Sequence, residues 1–118
     1  MTGLTTHVLD TALGSPVEGL RIDVYYVSDE QRVKLKSVVT NRDGRVEGGP
    51  ILAGDEFRKG QYELVFHAGD YLRDSGASLS DLPFLDLVPI RFGISDETAH
   101  YHVPLLLSTH SYSTYRGS

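Results

Sequence analysis

The chain has 118 residues, 40% of them hydrophobic and 23% charged, which suits one globular domain over residues 1–118 with an ordinary core. A formal net charge of -5 leaves no basic face for nucleic acid, and the lack of cysteine excludes disulfides and thiolate metal sites. No run approaches the ~20 apolar residues that span a bilayer, and the opening MTGLTTHVLD has neither the basic nor the apolar stretch of a secretory signal, so no membrane partner is expected and the expected compartment is the cytoplasm.

Period-two alternation of apolar and polar residues runs through most of the chain, the mark of half-buried strands. THVLD is a short strand on which His7 shares a face with Thr5 and Leu9. After a turn at Gly14-Ser15-Pro16, LRIDVYYV puts Leu20, Ile22, Val24 and Tyr26 on one face and Arg21, Asp23 and Tyr25 on the other. RVKLKSVVT repeats the pattern, with Val33, Leu35 and Val39 expected inside and Arg32, Lys34 and Lys36 outside. Asn41-Arg42-Asp43-Gly44 reads as a tight turn with Gly44 at positive φ. Gly48-Gly49-Pro50 and Arg58-Lys59-Gly60 flank a short piece around Ile51 and Leu52. QYELVFHA sets Tyr62, Leu64 and Phe66 against Gln61, Glu63 and His67. Residues 70–76 are the expected helix, capped by Asp70 and stopped by Gly76. VPIRFGIS contributes Val88, Ile90, Phe92 and Ile94, and the last long strand contributes Tyr101, Val103, Leu105 and Leu107. Seven or eight strands with one brief helix predict an all-β sandwich, with a small closed barrel as the runner-up.

The outer face of that last strand carries Leu106 and Pro104 beside His100, His102 and Ser108. A merely solvated sheet face does not carry leucine and proline, and a bare VPLLLS edge invites aggregation. Parity therefore predicts a homo-oligomer with this face at the contact.

Four features offer chemistry. His100 and His102, at i and i+2, have a spacing that also occurs at zinc sites. No third ligand is placed by motif among His7, His67, His110 or the carboxylates, so no metal is expected. The plain reading is two half-buried histidines hydrogen-bonded at an interface. His7 is a lone strand histidine. Arg45 is the first residue after the NRDG turn, with Arg42 beside it as an ordinary exposed charge. Tyr115, Arg116 and the carboxylate of Ser118 lie in a tail that frays unless something orders it.

Taken together, THVLD (6–10), TNRDGR (40–45) and HYHVPLLLS with the closing YSTYRGS resemble the signatures of the 5-hydroxyisourate hydrolases, the transthyretin-related proteins of urate breakdown. The resemblance runs almost end to end, and the terminal Tyr-Arg-Gly-Ser is its most discriminating part. It implies a transthyretin-like sandwich of two four-stranded sheets with one short helix. It implies a homotetramer, a dimer of dimers, with active sites in the channel between dimers. It carries site roles onto His7, Arg45, His102 and the tail from Tyr115 to Ser118. Where the family commonly has proline and an aromatic after LLLS, this chain has Thr109 and His110, which changes the stiffness of the tail and brings a titratable group toward the channel mouth.

The implied substrate is 5-hydroxyisourate, a flat, carbonyl-rich fused ring. Hydrolysis opens its six-membered lactam to 2-oxo-4-hydroxy-4-carboxy-5-ureidoimidazoline on the way to allantoin. The reaction needs an activated water, an oxyanion stabiliser and a proton for the leaving nitrogen. The resemblance assigns the base work to a His7/His102 pair, His7 activating water and His102 orienting or relaying. Arg45 fits adjacent carbonyls with its planar fork and stabilises the oxyanion. Tyr115 and Arg116 join His7 and Arg45 in binding substrate, and the Ser118 carboxylate or hydroxyl holds the water or fixes a histidine tautomer. No cofactor enters. The alternatives are a non-catalytic small-ligand carrier of transthyretin type and a structural adhesion sandwich. A carrier has no use for a water-activating pair beside a guanidinium.

Overall fold

The alternating runs form two facing sheets in the computed structural model, which describes residues 2–117. Near the start, β1 (Leu4–Thr5) and β2 (Val8–Asp10) are followed by β3 (Ser15–Pro16); near the end lie β8 (Tyr101–His102), β9 (Leu105–Leu107) and β10 (Tyr112–Ser113). β1 pairs in parallel with β8, and β2 in parallel with β9. The two pairs are one continuous ladder, because Val103 N–H donates to Thr5 O and Leu105 N–H donates to His7 O, both at 2.9 Å, across the gap. β3 and β10 flank it antiparallel, giving the order β10-β9-β2-β3.

The second sheet is antiparallel, in the order β5-β4-β6-β7, from β4 (Arg21–Ser28), β5 (Gln31–Val39), β6 (Gly60–His67) and β7 (Leu87–Ile94). Between the sheets lie Leu4, Val8, Leu105 and Leu107 from the first and Ile22, Val24, Leu64, Phe66, Val88 and Ile94 from the second. The sandwich is thus the architecture found. Counting each interrupted strand once, the described residues form eight strands, within the seven or eight expected.

β5 departs from its expected facing. Val33, Leu35 and Val39 are 57%, 41% and 55% exposed, not buried. β4 and β5 lose register between Val24 and Tyr25, where Leu35 is the extra residue of a bulge. A bulge reverses side-chain parity along the bulged strand. Beyond it Val38 turns toward the core, Val39 turns out opposite Arg21, and Lys36 lies on the core side. Lys36 stays solvated by reaching out to Ile51 O at 2.8 Å and Glu56 Oε1 at 2.9 Å.

The helix α1 (Ala68–Asp74) begins two residues before the expected start. Asp70 lies inside its first turn, where a carboxylate complements the helix dipole, and bonds Arg73 at 3.0 Å. Gly69 anchors the earlier start by donating its N–H to Asp86 O at 2.9 Å. Gly76, at φ +82°, follows the helix end as expected.

Pro104 shapes the tail. The N–H groups of Tyr101, Val103 and Leu105 point to the first strand, so the missing N–H of Pro104 is one that would have faced β10. The tail ladder breaks there. Thr114 Oγ1 donates to Pro104 O at 2.6 Å, and the tail re-pairs only at Gly117, whose N–H donates to His102 O at 2.8 Å.

Candidate active site

His7 faces outward because its neighbours do not. Thr6 and Val8 are buried in the sandwich, and the Thr6 hydroxyl donates to Val103 O at 2.7 Å. On the adjoining strand Tyr101 and Val103 point inward, which leaves His100 and His102 on the same outer face as Thr5 and His7. This parity agrees with the sequence reading.

Arg45 arrives by way of the NRDG turn. Asn41 Oδ1 accepts the N–H groups of Asp43 and Arg45, at 2.9 and 3.1 Å, and Asn41 O accepts that of Gly44. Gly44 sits at φ +75°, and Val8 N–H donates to its carbonyl at 2.9 Å. A Cβ here would stand 2.4 Å from Val8 O and 3.3 Å from His7 Cδ2, so only glycine lets the turn lie against the His7 strand. Arg45 is thereby fixed beside the histidines. Together with Thr5, Ile51, His100 and His102 it lines an open cleft of about 520 Å³.

Electrostatics tie the groups together. Burial lowers the pKa of His7 and Arg45 lowers it further, against a smaller opposing pull from Asp43. Burial also lowers the pKa of His102, followed by Arg45, His7 and His100. Both imidazoles are held neutral at neutral pH, as a base or a hydrogen-bond donor requires. Among the described residues Arg45 forms no ion pair, and no group of three histidine, aspartate or glutamate side chains gathers to hold a metal ion.

The tail divides. Gly117 lies against His102, where a Cβ would come within 2.7 Å of the ring at Cδ2. Tyr115 and Arg116 line a separate cavity of about 310 Å³ with Ile90, Phe92 and Tyr101. Arg116 stacks its guanidinium 4.0 Å above the Tyr101 ring and reaches His100 O at 3.5 Å. Ser118 lies outside the described residues. His110 does not line the cleft; its ring sits 5.8 Å from that of Phe84.

Sequence reasoning passed over Thr5, took Gly117 only as part of the tail and left His100 out of the site. The Thr5 hydroxyl lies 3.0 Å from His100 Nε2 and 2.9 Å from His102 Nδ1. Its parity with His7 was visible, but its place between two imidazoles depends on the parallel register of residues 95 or more apart in the chain.

The HIUase/Transthyretin family model matches residues 4–117, nearly everything that builds this cleft. The chain belongs to that family. Its similarity to 5-hydroxyisourate hydrolase 2 of Rhizobium meliloti (strain 1021) is 61% identity over 115 residues, 98% of this chain and 95% of the relative. Its similarity to the 5-hydroxyisourate hydrolase of Mesorhizobium japonicum is 60% over 115 residues, 98% of this chain and 91% of that one. Among solved structures it superposes on (S)-allantoin synthase with a TM-score of 0.93 and 52% identity, covering 98% of this chain but 43% of that longer one. Family membership accounts for the whole sandwich, and the cleft on its outer face brings Arg45, His100 and His102 together.

Proposed function

We propose that the protein hydrolyses 5-hydroxyisourate, opening the six-membered lactam ring to 2-oxo-4-hydroxy-4-carboxy-5-ureidoimidazoline. The observation that carries this reading is near-full-length identity of 61% to a 5-hydroxyisourate hydrolase. Arg45 and His102 line the cleft and His7 is coupled electrostatically to Arg45, which supports giving these groups the chemistry. His7, neutral and beside Arg45, takes a proton from water as the water oxygen bonds to the lactam carbonyl. General-base assistance of this kind is worth roughly 10²–10⁴ in rate. The Arg45 fork meets the oxyanion. As the C–N bond breaks, the His7 imidazolium returns its proton to the leaving nitrogen.

Leu9 and Leu106 extend the cleft face and stay half-buried in the single chain. We take this face as the contact between copies in a homotetramer, roofing the cleft. Tyr115, Arg116 and Ser118 enter the reading through that assembly, because within one chain the first two line a different cavity. Among the described residues no helix is long and apolar enough to cross a membrane; the cytoplasm is the compartment proposed. The test is spectroscopic: urate is converted by urate oxidase and the protein is then added. Faster decay of the transient 5-hydroxyisourate absorbance is expected, and unchanged decay contradicts the reading.

A further inference from the structure

One hydroxyl stands between two imidazoles. Thr5 Oγ1 is 3.0 Å from His100 Nε2 and 2.9 Å from His102 Nδ1. A hydroxyl has a single proton and so donates to at most one ring; as the two rings are the only hydrogen-bond partners of Thr5 Oγ1 among the described residues, it donates to one and accepts from the other. The two histidines therefore do not choose tautomers independently.

The other nitrogen of His100 sets the direction. His100 Nδ1 is, among the described residues, the one buried side-chain nitrogen or oxygen with no hydrogen-bond partner. A proton there would be a stranded buried donor, which folded proteins avoid more strictly than a bare acceptor. His100 therefore keeps its proton on Nε2 and donates it to Thr5 Oγ1. A protonated His100 Nε2 cannot accept the Thr5 proton, so the Thr5 hydroxyl donates to its other partner, His102 Nδ1. With Nδ1 accepting, neutral His102 carries its proton on Nε2.

We infer that Thr5 is a positioning residue that locks His102 in the neutral Nε2–H tautomer, making it a hydrogen-bond donor to the oxyanion rather than a base. This rests on the hydrolase reading and deepens it by dividing the work of the two histidines. His7 takes the water proton and returns it to the leaving nitrogen. His102 gives up no proton and shares the oxyanion with Arg45. Burial, Arg45, His7 and His100 all disfavour a charge on His102, which keeps it neutral. A neutral imidazole serving as an electrophile is an established catalytic device.

The test has a spectroscopic and a kinetic arm. Long-range 1H–15N correlation spectra of the labelled wild-type protein, recorded at about pH 8, above the ordinary histidine range, read each tautomer directly. A pyridine-like Nδ1 and a protonated Nε2 are expected for His102; a protonated Nδ1 with a bare Nε2 overturns the assignment. Kinetically, His102→Gln places an amide N–H near where Nε2–H stood, and His102→Asn does not. The Gln variant is expected to turn over about tenfold faster than the Asn variant, and equal losses overturn the donor role. Thr5→Val is expected to lower kcat about tenfold with KM nearly unchanged, and Thr5→Ser to restore it. A Val variant as fast as wild type removes Thr5 from the account. The spectra need no turnover, so the expected tautomer in a protein that fails to open 5-hydroxyisourate sinks the hydrolase reading while the tautomer assignment stands.

Discussion

Each sheet of the sandwich carries ionisable groups on its outer face, and the two sets are handled in opposite ways. On the β5-β4-β6-β7 sheet, Asp23 and Glu63 are nearly buried and fully partnered. Asp23 accepts from Ser37 Oγ at 2.6 Å, Arg21 Nε at 2.9 Å and His67 Nε2 at 2.9 Å. Glu63 accepts from Arg32 at 2.7 Å and Arg91 at 3.0 Å. Burial alone would push the Asp23 carboxyl up, but the bonds from Ser37, His67 and Arg21 together hold it well below the usual carboxylate range. On the other sheet, His100, His102 and Arg45 line one cleft, with His7 electrostatically coupled to Arg45 and His102; like charges there disfavour one another and one ring nitrogen has no partner among the described residues. Satisfied polar clusters hold a fold in place; clusters kept neutral and incompletely partnered are poised to act on something else.

Next to loss of the base itself, the largest expected effect is on Arg45. Arg45→Ala should lower kcat/KM by on the order of 10²–10³ through the lost oxyanion partner, while Arg42→Ala, in the same turn, should be nearly silent. Steady-state kinetics on the pair decide this, and equal losses would erase the distinction between Arg45 and an ordinary exposed charge.

Gly117→Ala comes next. Its Cβ would press on the His102 ring, 2.7 Å from Cδ2 and 3.2 Å from Cγ. Displacing a reacting group by about 1 Å costs up to ~10² in rate, so turnover should fall with little change in thermal stability. A variant with wild-type kcat would detach the tail from the cleft.

Acid gives a graded effect. His7 and His102 both have pKa values lowered below 6.5 in the fold. Activity should be flat near neutral pH and fall only on the acid side of about 6.5. The unfolded chain takes up these protons first, so stability declines in the same window. A kcat/KM profile that rises as pH falls below about 6 contradicts neutral histidines.

The smallest expected effect on rate belongs to the other sheet. Asp23→Asn should leave kcat/KM almost unchanged and lower Tm. Because the folded pKa of Asp23 is depressed, its stabilisation is complete above about pH 4 and is lost as pH falls toward the folded value. The Tm difference between wild type and variant should therefore shrink below about pH 4. A difference constant across that range would remove Asp23 from the stability account.

Much of this was legible from local pattern. Alternation placed Thr5, His7, His100 and His102 outside and Tyr101, Val103, Leu105 and Leu107 inside, because strand parity is a local property. Turn chemistry marked Gly44, whose positive φ the Asn41-to-Gly44 stretch demands. Non-local events were not legible. The bulge at Leu35 exchanges Val39 for Val38 in the core, and nothing in RVKLKSVVT announces it. The helix starts early because Gly69 meets Asp86 across an intervening loop. Pro104 interrupts the tail ladder, so Tyr115 and Arg116 line a separate cavity while Gly117 returns to His102. Thr5 acquires its role only when two distant strands fall into register.

Whether His7, His102 and Arg45 together perform the hydrolysis is open to a direct test. The most direct measurement follows 5-hydroxyisourate decay, generated in place by urate oxidase, with wild-type protein and with a folded His7→Asn variant side by side. Rapid decay is expected with the wild type and a rate lower by roughly 10²–10⁴ with the variant. Equal acceleration by both proteins would contradict the role given to His7.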